Sequence, residues 1–280
     1  MKVIIGIVTR GRAELTKKTV ASALMQIPPP DLVWVVEDGL VGDSFAWDKG
    51  GPVRITRWEE NRGYLAARKM MMTETEADIY VSLDDDAWFL DAGSMSNAVQ
   101  VMANDPRVAA VGFEILSPDQ SKPVGNNGPK EARLFIGCGH ALRLTAIREI
   151  GGYEEMPGLY GGEEKDLCLR LMDRGWKIVK LMGATVWHDK TNLQRDLEWQ
   201  RESGVLNDLT LIYRRCPGLD MIFNLLGNLA NQILFSLKSP RERLGPTLAG
   251  VAKFLLSLPQ VWATRRPVRR ETWKQYRSLS

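Results

Sequence analysis

Three consecutive aspartates, Asp84 to Asp86, follow the apolar run "YVSL" and stand just before Trp88. Adjacent carboxylates repel one another, and aspartate is a poor strand former, so stability alone does not favour this triplet at the end of a buried strand. The surplus charge predicts a positive partner. Carboxylates spaced i, i+2 suit Mg²⁺ or Mn²⁺, because these ions keep few protein ligands and borrow phosphate oxygens. The alternative is that one aspartate caps a following helix.

A second acidic cluster lies in "YGGEEKDLCLRL", where Glu163, Glu164 and Asp166 follow a Gly-Gly turn and open an amphipathic helix. A carboxylate beside such a turn can act as a general base. The alternative is electrostatic, since acidic side chains favour the positive end of a helix dipole. The residue types alone leave both interpretations open.

Polar residues also follow the other predicted strands. The carboxyl ends of parallel strands form the ligand-binding edge of an open α/β sheet, so we expect these residues to converge there. His188, one of two histidines, is either a metal ligand or an ordinary packed residue. The remaining strand-end candidates are Thr9, Arg10, Arg12, Glu37, Asp38, Asn61 and Arg68.

Strands must alternate with helices to place these residues at one edge. Apolar runs such as "VIIGIV" and "LVWVVEDG" predict buried strands, and segments such as "AELTKKTVASALMQ" have helical spacing. This alternation predicts a parallel central sheet covered by helices on both faces. We expect one domain over residues 1–215 and a helical appendage over residues 216–280.

Composition excludes several classes of protein. The 280 residues are 44% hydrophobic and 25% charged, as in an ordinary soluble domain. Three cysteines without a CxxC motif predict neither a disulfide framework nor a cysteine zinc site, and indicate a reducing compartment. The first strand is not followed by GxGxxG, and no P-loop is present, so dinucleotide oxidoreductases and P-loop NTPases lose their main support. No nucleic-acid reading module is recognised. The short N-terminal apolar run predicts a cytoplasmic protein.

The C-terminal segment is basic. Residues 238–280 hold ten Lys or Arg and two acids, a net charge of +8, which leaves −5 for residues 1–237. The segment 219–237 predicts an amphipathic helix, and the apolar run 246–262 contains Lys253 and Pro259. Neither offers the roughly 20 clean apolar residues that span a bilayer. We therefore expect residues 219–277 to bind an anionic membrane surface. The alternative is a packed helical layer or a dimer contact.

Six motifs in one order resemble family 2 glycosyltransferases of the GT-A fold, over residues 2 to 190. They read "VIIGIVTRGR", "VVEDG", "NRGYLAAR", "LDDD", "GGYEE" and "GEEKDLCLRL". The resemblance implies a Rossmann-like, mostly parallel sheet. It also implies that a nucleotide-sugar donor binds with Mg²⁺ or Mn²⁺.

The resemblance assigns roles by position. Asp86 would bind the metal, and His188 would complete its site. Glu164 matches the catalytic base, but the family usually has Asp there, so Glu163 or Asp166 could share or replace the role. The positions implied to bind the nucleotide sugar are Thr9, Arg10, Arg12, Glu37, Asp38, Asn61, Arg68, Asp84 and Asp85, with Asp84 near the ribose.

The predicted activity is inverting transfer of a hexosyl or deoxyhexosyl group to a lipid-linked or polysaccharide acceptor. We expect it in cell-envelope polysaccharide biosynthesis, on the cytoplasmic face of the membrane. Two alternatives come from other classes of protein. A sugar nucleotidyltransferase would need a Gly-rich basic phosphate loop, of which "TRGR" is a faint version. A non-catalytic nucleotide or glycan binding module would bind the donor without turnover.

Overall fold

The computed structural model describes residues 1–120, 122–123, 128–158, 160–190 and 196–279, except the side chain of Glu242. The chain divides into two compact units. The first unit comprises Met1–Gly152 and Gly175–Thr191, and the second comprises Tyr153–Arg174 and Asn192–Ser280. The division predicted after residue 215 stays a prediction.

The first unit is built on a nine-stranded sheet in the order β3-β2-β1-β4-β8-β6-β9-β5, with β7 also paired to β9. The pairings make six strands point one way, namely β1 to β4, β6 and β9. The strands are β1 Val3–Thr9, β2 Leu32–Asp38, β3 Val53–Trp58, β4 Ile79–Asp84, β5 Ala87–Phe89, β6 Val108–Leu116, β7 Pro129–Glu131, β8 Gly139–Arg143 and β9 Lys177–His188.

Four helices of the first unit pack on this sheet. They are α1 Ala13–Leu24, α2 Tyr64–Thr73, α3 Ser94–Asn104 and α4 Leu144–Glu149. Because side chains alternate across a strand, Ile5 and Ile7 of β1 point to one face, where they share a core with Val20 of α1 and Ala98 of α3. The other face, which includes Tyr80, is equally buried. Burial on both faces explains the nearly continuous apolar strands.

The fold predicted from the sequence is confirmed, a mixed α/β unit with a mostly parallel sheet flanked by helices. Three strands that run against the others, β5, β7 and β8, were not anticipated. Strand β5 follows the aspartate triplet directly, and the next helix, α3, begins ten residues after Asp84 with Gly93 at its N-cap. The helix-capping interpretation of the triplet is therefore wrong.

The second unit is helical. Its elements are α5 Glu163–Asp173, α6 Leu197–Arg215, α7 Asp220–Ser236, α8 Pro240–Ala263 and α9 Arg270–Ser278. Helix α6 is the centre of this unit, and its Val205 and Leu209 form an apolar cluster with Phe254 of α8. Helix α8 is continuous through Pro246 and Pro259. The C-terminal segment thus supplies part of the core of the second unit.

The Tyr80 ring packs so close to the β1 backbone that residue 6 must be glycine. A Cβ at this position would lie 2.5 Å from Cε2 of the buried Tyr80 ring. We predict that Gly6→Ala lowers the free energy of unfolding by about 1–3 kcal/mol, because the added methyl overpacks the core. Urea denaturation measures the change. Gly204→Ala is the control, since a Cβ within α6 meets nothing within 4 Å. Equal stability of the two variants would contradict the prediction.

Candidate active site

The aspartate triplet lies at the carboxyl edge of the three central parallel strands. Asp84 ends β4 and pairs in register with Val8 of β1, and Thr9 is in register with Glu37 of β2. Ends of neighbouring parallel strands must meet at the same edge. The sequence-based expectation that these residues converge is met for β1, β2 and β4.

Two arginines lie against the triplet. Arg12, at the N-cap of α1, places Nη1 3.0 Å from Asp85 Oδ1 and 3.3 Å from Asp86 Oδ2. Arg68 of α2 is 4% exposed and donates from Nη2 to Asp84 Oδ1 at 2.9 Å and to the Gly137 carbonyl at 3.0 Å. The three carboxylates therefore have guanidinium partners. The sequence analysis expected a divalent metal ion as the positive partner and did not anticipate these two ion pairs.

Asp85 is a buried anchor within the triplet. Thr9 donates from Oγ1 to Asp85 Oδ2 at 2.9 Å, and Thr19 of α1 donates to the Asp85 carbonyl at 3.0 Å. Burial raises the pKa of Asp85 to about 6, while Arg12 and the Thr9 hydroxyl act in the opposite direction. Thr16 of α1 in turn donates a hydrogen bond from its hydroxyl to Thr9 Oγ1 at 2.8 Å. The threonines of α1 fix the triplet to that helix, which the sequence analysis missed.

Asp84, Asp86 and His188 form one group of potential metal ligands. Their donor atoms all lie within 4.8 Å of one another. His188 ends β9 directly opposite Ala87 of β5, and its Nε2 lies 3.3 Å from Asp86 Oδ1. Two carboxylates and an imidazole fit Mn²⁺ or Mg²⁺. The resemblance placed Asp84 near the ribose, whereas the structure groups it with Asp86 and His188.

The acids at the end of β2 differ in their partners. Glu37 accepts the Phe45 amide at 2.6 Å and lies 2.7 Å from Arg57 Nε, so both of its oxygens are engaged. Asp38 accepts the Arg62 amide through Oδ1 at 2.6 Å. Its Oδ2 has no hydrogen bond among the described residues. Asp38 therefore retains an acceptor that Glu37 does not.

Two further candidates contribute no contact with the triplet. Asn61 accepts the Gly63 amide through Oδ1 at 3.0 Å and so shapes the turn before α2. Arg10 is exposed. Neither residue is joined to the aspartates by a contact among the described residues.

The acids of α5 belong to the second unit. Asp166 is fully buried, with Oδ2 2.7 Å from Arg170 Nε and Oδ1 2.6 Å from Arg215 Nε. Glu154, from the "GGYEE" turn, binds Arg215 at 2.7 Å and closes this network. Glu163 is also buried, whereas Glu164 is half-buried. Both carboxylate oxygens of Asp166 are thus committed to guanidinium groups.

Asn207 of α6 holds the loop that precedes α5. Its Nδ2 donates to the carbonyls of Gly158 and Gly161 at 2.7 and 2.6 Å, and its Oδ1 accepts the Gly158 amide at 2.8 Å. Gly161 and Gly162 both have positive φ, 80° and 95°, so the turn requires glycine. Asn207 was missed, although an Asn within the apolar pattern of α6 was a usable signal.

The fold of this chain resembles that of several solved glycosyltransferase structures. TarS 1–349 of S. aureus in complex with UDP-GlcNAc has a TM-score of 0.65 at 13% identity, over 94% of this chain and 84% of that one. Mannosyltransferase PcManGT from Pyrobaculum calidifontis, with GDP-Man and Mn²⁺, has a TM-score of 0.58 at 15% identity, over 94% and 77%. GalNAc-T7 with UDP, GalNAc and Mn²⁺ has a TM-score of 0.60 at 14% identity, over 77% of this chain.

A family model matches part of the sequence. Residues 4–127 match the model described as Glycosyl transferase family 2, which confirms the resemblance carried by the motifs over that segment. The match covers less than half of the chain. No curated protein matches it. The chain spans 48% of the length of the GalNAc-T7 structure.

Removal of the Asn207 amide leaves several buried backbone groups of the loop without partners. We predict that Asn207→Ala lowers the free energy of unfolding by about 3 kcal/mol or more, since each unsatisfied buried group costs about 1–3 kcal/mol. Chemical denaturation measures it. Asn231→Ala is the matched control, because Asn231 is exposed on α7. A loss no larger than that of the control would show that water replaces the amide.

Proposed function

We propose that the protein is an inverting, metal-assisted glycosyltransferase that moves a sugar from a nucleotide-diphosphate donor to an acceptor hydroxyl. The observation that carries this proposal is the grouping of Asp84, Asp86 and His188 at the carboxyl edge of the parallel strands. The family match over residues 4–127 and the Mn²⁺ named in two neighbouring structures support it.

The donor is proposed to bind through the acids and arginines of the first unit. Asp84, Asp86 and His188 would hold Mn²⁺ or Mg²⁺. When bound, such an ion supplies positive charge that stabilises the departing diphosphate. Arg12 and Arg68 suit phosphate oxygens, because a guanidinium donates two parallel hydrogen bonds to an anion.

Asp38 is the proposed acceptor for the nucleobase or ribose. Its Oδ1 is fixed by the Arg62 amide, which orients the carboxylate, and Oδ2 remains for a donor group of the nucleotide. Glu37 is assigned instead to positioning the loop after β2, since Phe45 and Arg57 occupy its oxygens. Thr9 and Asp85 are proposed to position the strand ends, since they bind each other.

Glu164 is the proposed general base. Asp166 is the less suitable candidate, because both of its oxygens are already bound by guanidinium groups. Glu164 is more accessible than the buried Glu163. Glu164 would take the proton of the acceptor hydroxyl as the oxygen attacks the anomeric carbon on the face opposite the diphosphate. A single displacement of this kind inverts the configuration.

The proposed acceptor is lipid-linked or a polysaccharide of the cell envelope, and the proposed location is the cytoplasmic face of the membrane. Of the helices that the structure describes, none combines the length and apolar character needed to cross a bilayer. A peripheral association through residues 219–277 is the mode that we propose.

The metal group has a direct test. We predict that Asp86→Asn lowers the affinity for Mn²⁺ in the presence of UDP or GDP by about tenfold or more, because an amide replaces one charged ligand. His188→Ala acts in the same direction. Isothermal titration calorimetry gives the affinity, and Asp43→Asn, an exposed aspartate of the first unit, is the control. Unchanged Mn²⁺ affinity in both site variants would remove the proposed metal site.

The base has a separate test. We predict that Glu164→Gln retains affinity for the nucleotide-sugar donor but lowers turnover by about 10²-fold or more, the usual scale for a lost general base. A panel of UDP, GDP and dTDP sugars with Mn²⁺ first identifies the donor by thermal shift. Glu163→Gln and Asp166→Asn are the comparison variants. A larger loss in Glu163→Gln, with Glu164→Gln near the parent rate, would transfer the role to Glu163.

A further inference from the structure

Within the second unit, the polar side of helix α7 faces helices α6 and α8. Asn224, Gln232 and Ser236 follow one another at multiples of four residues and all make contacts inside that unit. Asn224 Nδ2 lies 3.6 Å from Cys216 Sγ, Gln232 Nε2 donates to Asp208 Oδ2 at 3.2 Å, and Ser236 Oγ lies 2.7 Å from Thr247 Oγ1. Ser236 is the buried residue of the helix. The polar row of α7 therefore faces the protein, beside Leu225, which packs against the apolar cluster of α6 and α8.

The opposite side of the helix is apolar and exposed. At about 100° per residue, its large side chains fall within an arc of about 120°. Phe223 is 73% exposed, Leu226 60% and Leu234 62%. We call this set the α7 apolar face; its residues are Leu219, Ile222, Phe223, Leu226, Leu234 and Leu237. Contiguous exposed apolar surface of this kind marks an interaction site.

Helix α8 also exposes apolar side chains. Its Phe254 and Val261 are buried, yet Leu255 is 57% exposed and Trp262 71% exposed on other sides of the same helix. The described residues of the second unit cover only part of α8.

Residues 238–280 hold ten Lys or Arg, but fewer than ten of these side chains are available to bind an anionic surface. Among the described side chains, five of the ten already make hydrogen bonds or ion pairs within the second unit, and Arg243 lies over the Phe235 ring. Arg269 binds Asp173, Arg270 binds Asp220, and Arg277 binds Asn224. The other two are Lys253, paired with Glu202, and Arg265, which donates to the carbonyls of Tyr213 and Cys216. Much of the net charge of +8 therefore holds α8 and α9 in place.

We propose that the α7 apolar face inserts in the plane of an anionic bilayer, and that apolar burial rather than charge carries most of the binding. This inference rests on the proposed function and names the membrane contact within it. Lys238 and Arg241 are exposed where α7 gives way to α8, and suit anionic headgroups. A second copy is a less suitable occupant, since its own Lys238 and Arg241 would meet the same exposed cations beside this face.

The test is flotation of the full-length chain with vesicles of phosphatidylcholine and phosphatidylglycerol, at low salt and at 1 M NaCl. We expect binding to persist at high salt. Phe223→Gln combined with Leu226→Gln should lower vesicle affinity by about tenfold or more, because two exposed apolar side chains no longer enter the bilayer. Lys238→Gln combined with Arg241→Gln should have the smaller effect.

Met25→Gln is the matched control, since Met25 is 71% exposed in the first unit and should not change binding. Mn²⁺-dependent binding of UDP or GDP, measured on each variant, verifies folding and reports separately on the proposed activity. Loss of vesicle binding at high salt, with the Phe223 and Leu226 variant unaffected, would overturn the inference in favour of electrostatic attachment. A dimer in light scattering that dissociates in that variant, without vesicle binding, would assign the face to a second copy.

Discussion

The repulsion among three adjacent carboxylates at the end of β4 is the constraint on which the first unit depends. Neighbouring elements offset this repulsion with positive or hydrogen-bonding groups. The N-cap of α1 contributes Arg12, α2 contributes the buried Arg68, and β1 contributes Thr9. A buried charge is tolerated when it is paired and hydrogen-bonded, so these contacts make the triplet compatible with a stable sheet.

The same arrangement has a consequence for ligand binding. Removing one partner of a buried ion pair is costly, so the arginines and the aspartates hold one another in place before any ligand arrives. Preorganised charges need little rearrangement to receive a cation and an anion together. The site holds potential metal ligands, Asp84, Asp86 and His188, beside two arginines, Arg12 and Arg68. This combination supports the proposal that the site binds a metal ion and a diphosphate.

The fold was predictable because strands buried on both faces leave continuous apolar runs, and because their ends carry the polar residues. The grouping of Asp84 with His188 was not predictable in the same way. It depends on the short strand β5, which pairs Ala87 with His188 across about a hundred residues. Three residues of strand give no periodic signal. Likewise, nothing local shows that Arg57 binds Glu37, while Oδ2 of Asp38 accepts no hydrogen bond from the residues that the structure describes.

The orientation of helix α7 in the second unit could not be predicted from the sequence. Periodicity reveals that a helix has a polar and an apolar side, but it does not reveal which side faces the protein. In α7 the polar row finds buried partners such as Asp208 and Thr247, which themselves come from α6 and α8. Those partners satisfy Gln232 and Ser236, whereas Oδ1 of Asn228 in the same row is buried without a hydrogen bond among the described residues. The apolar side then has no protein surface among the described residues to cover it. A fold that satisfies its polar groups in this way leaves a hydrophobic surface exposed to solvent.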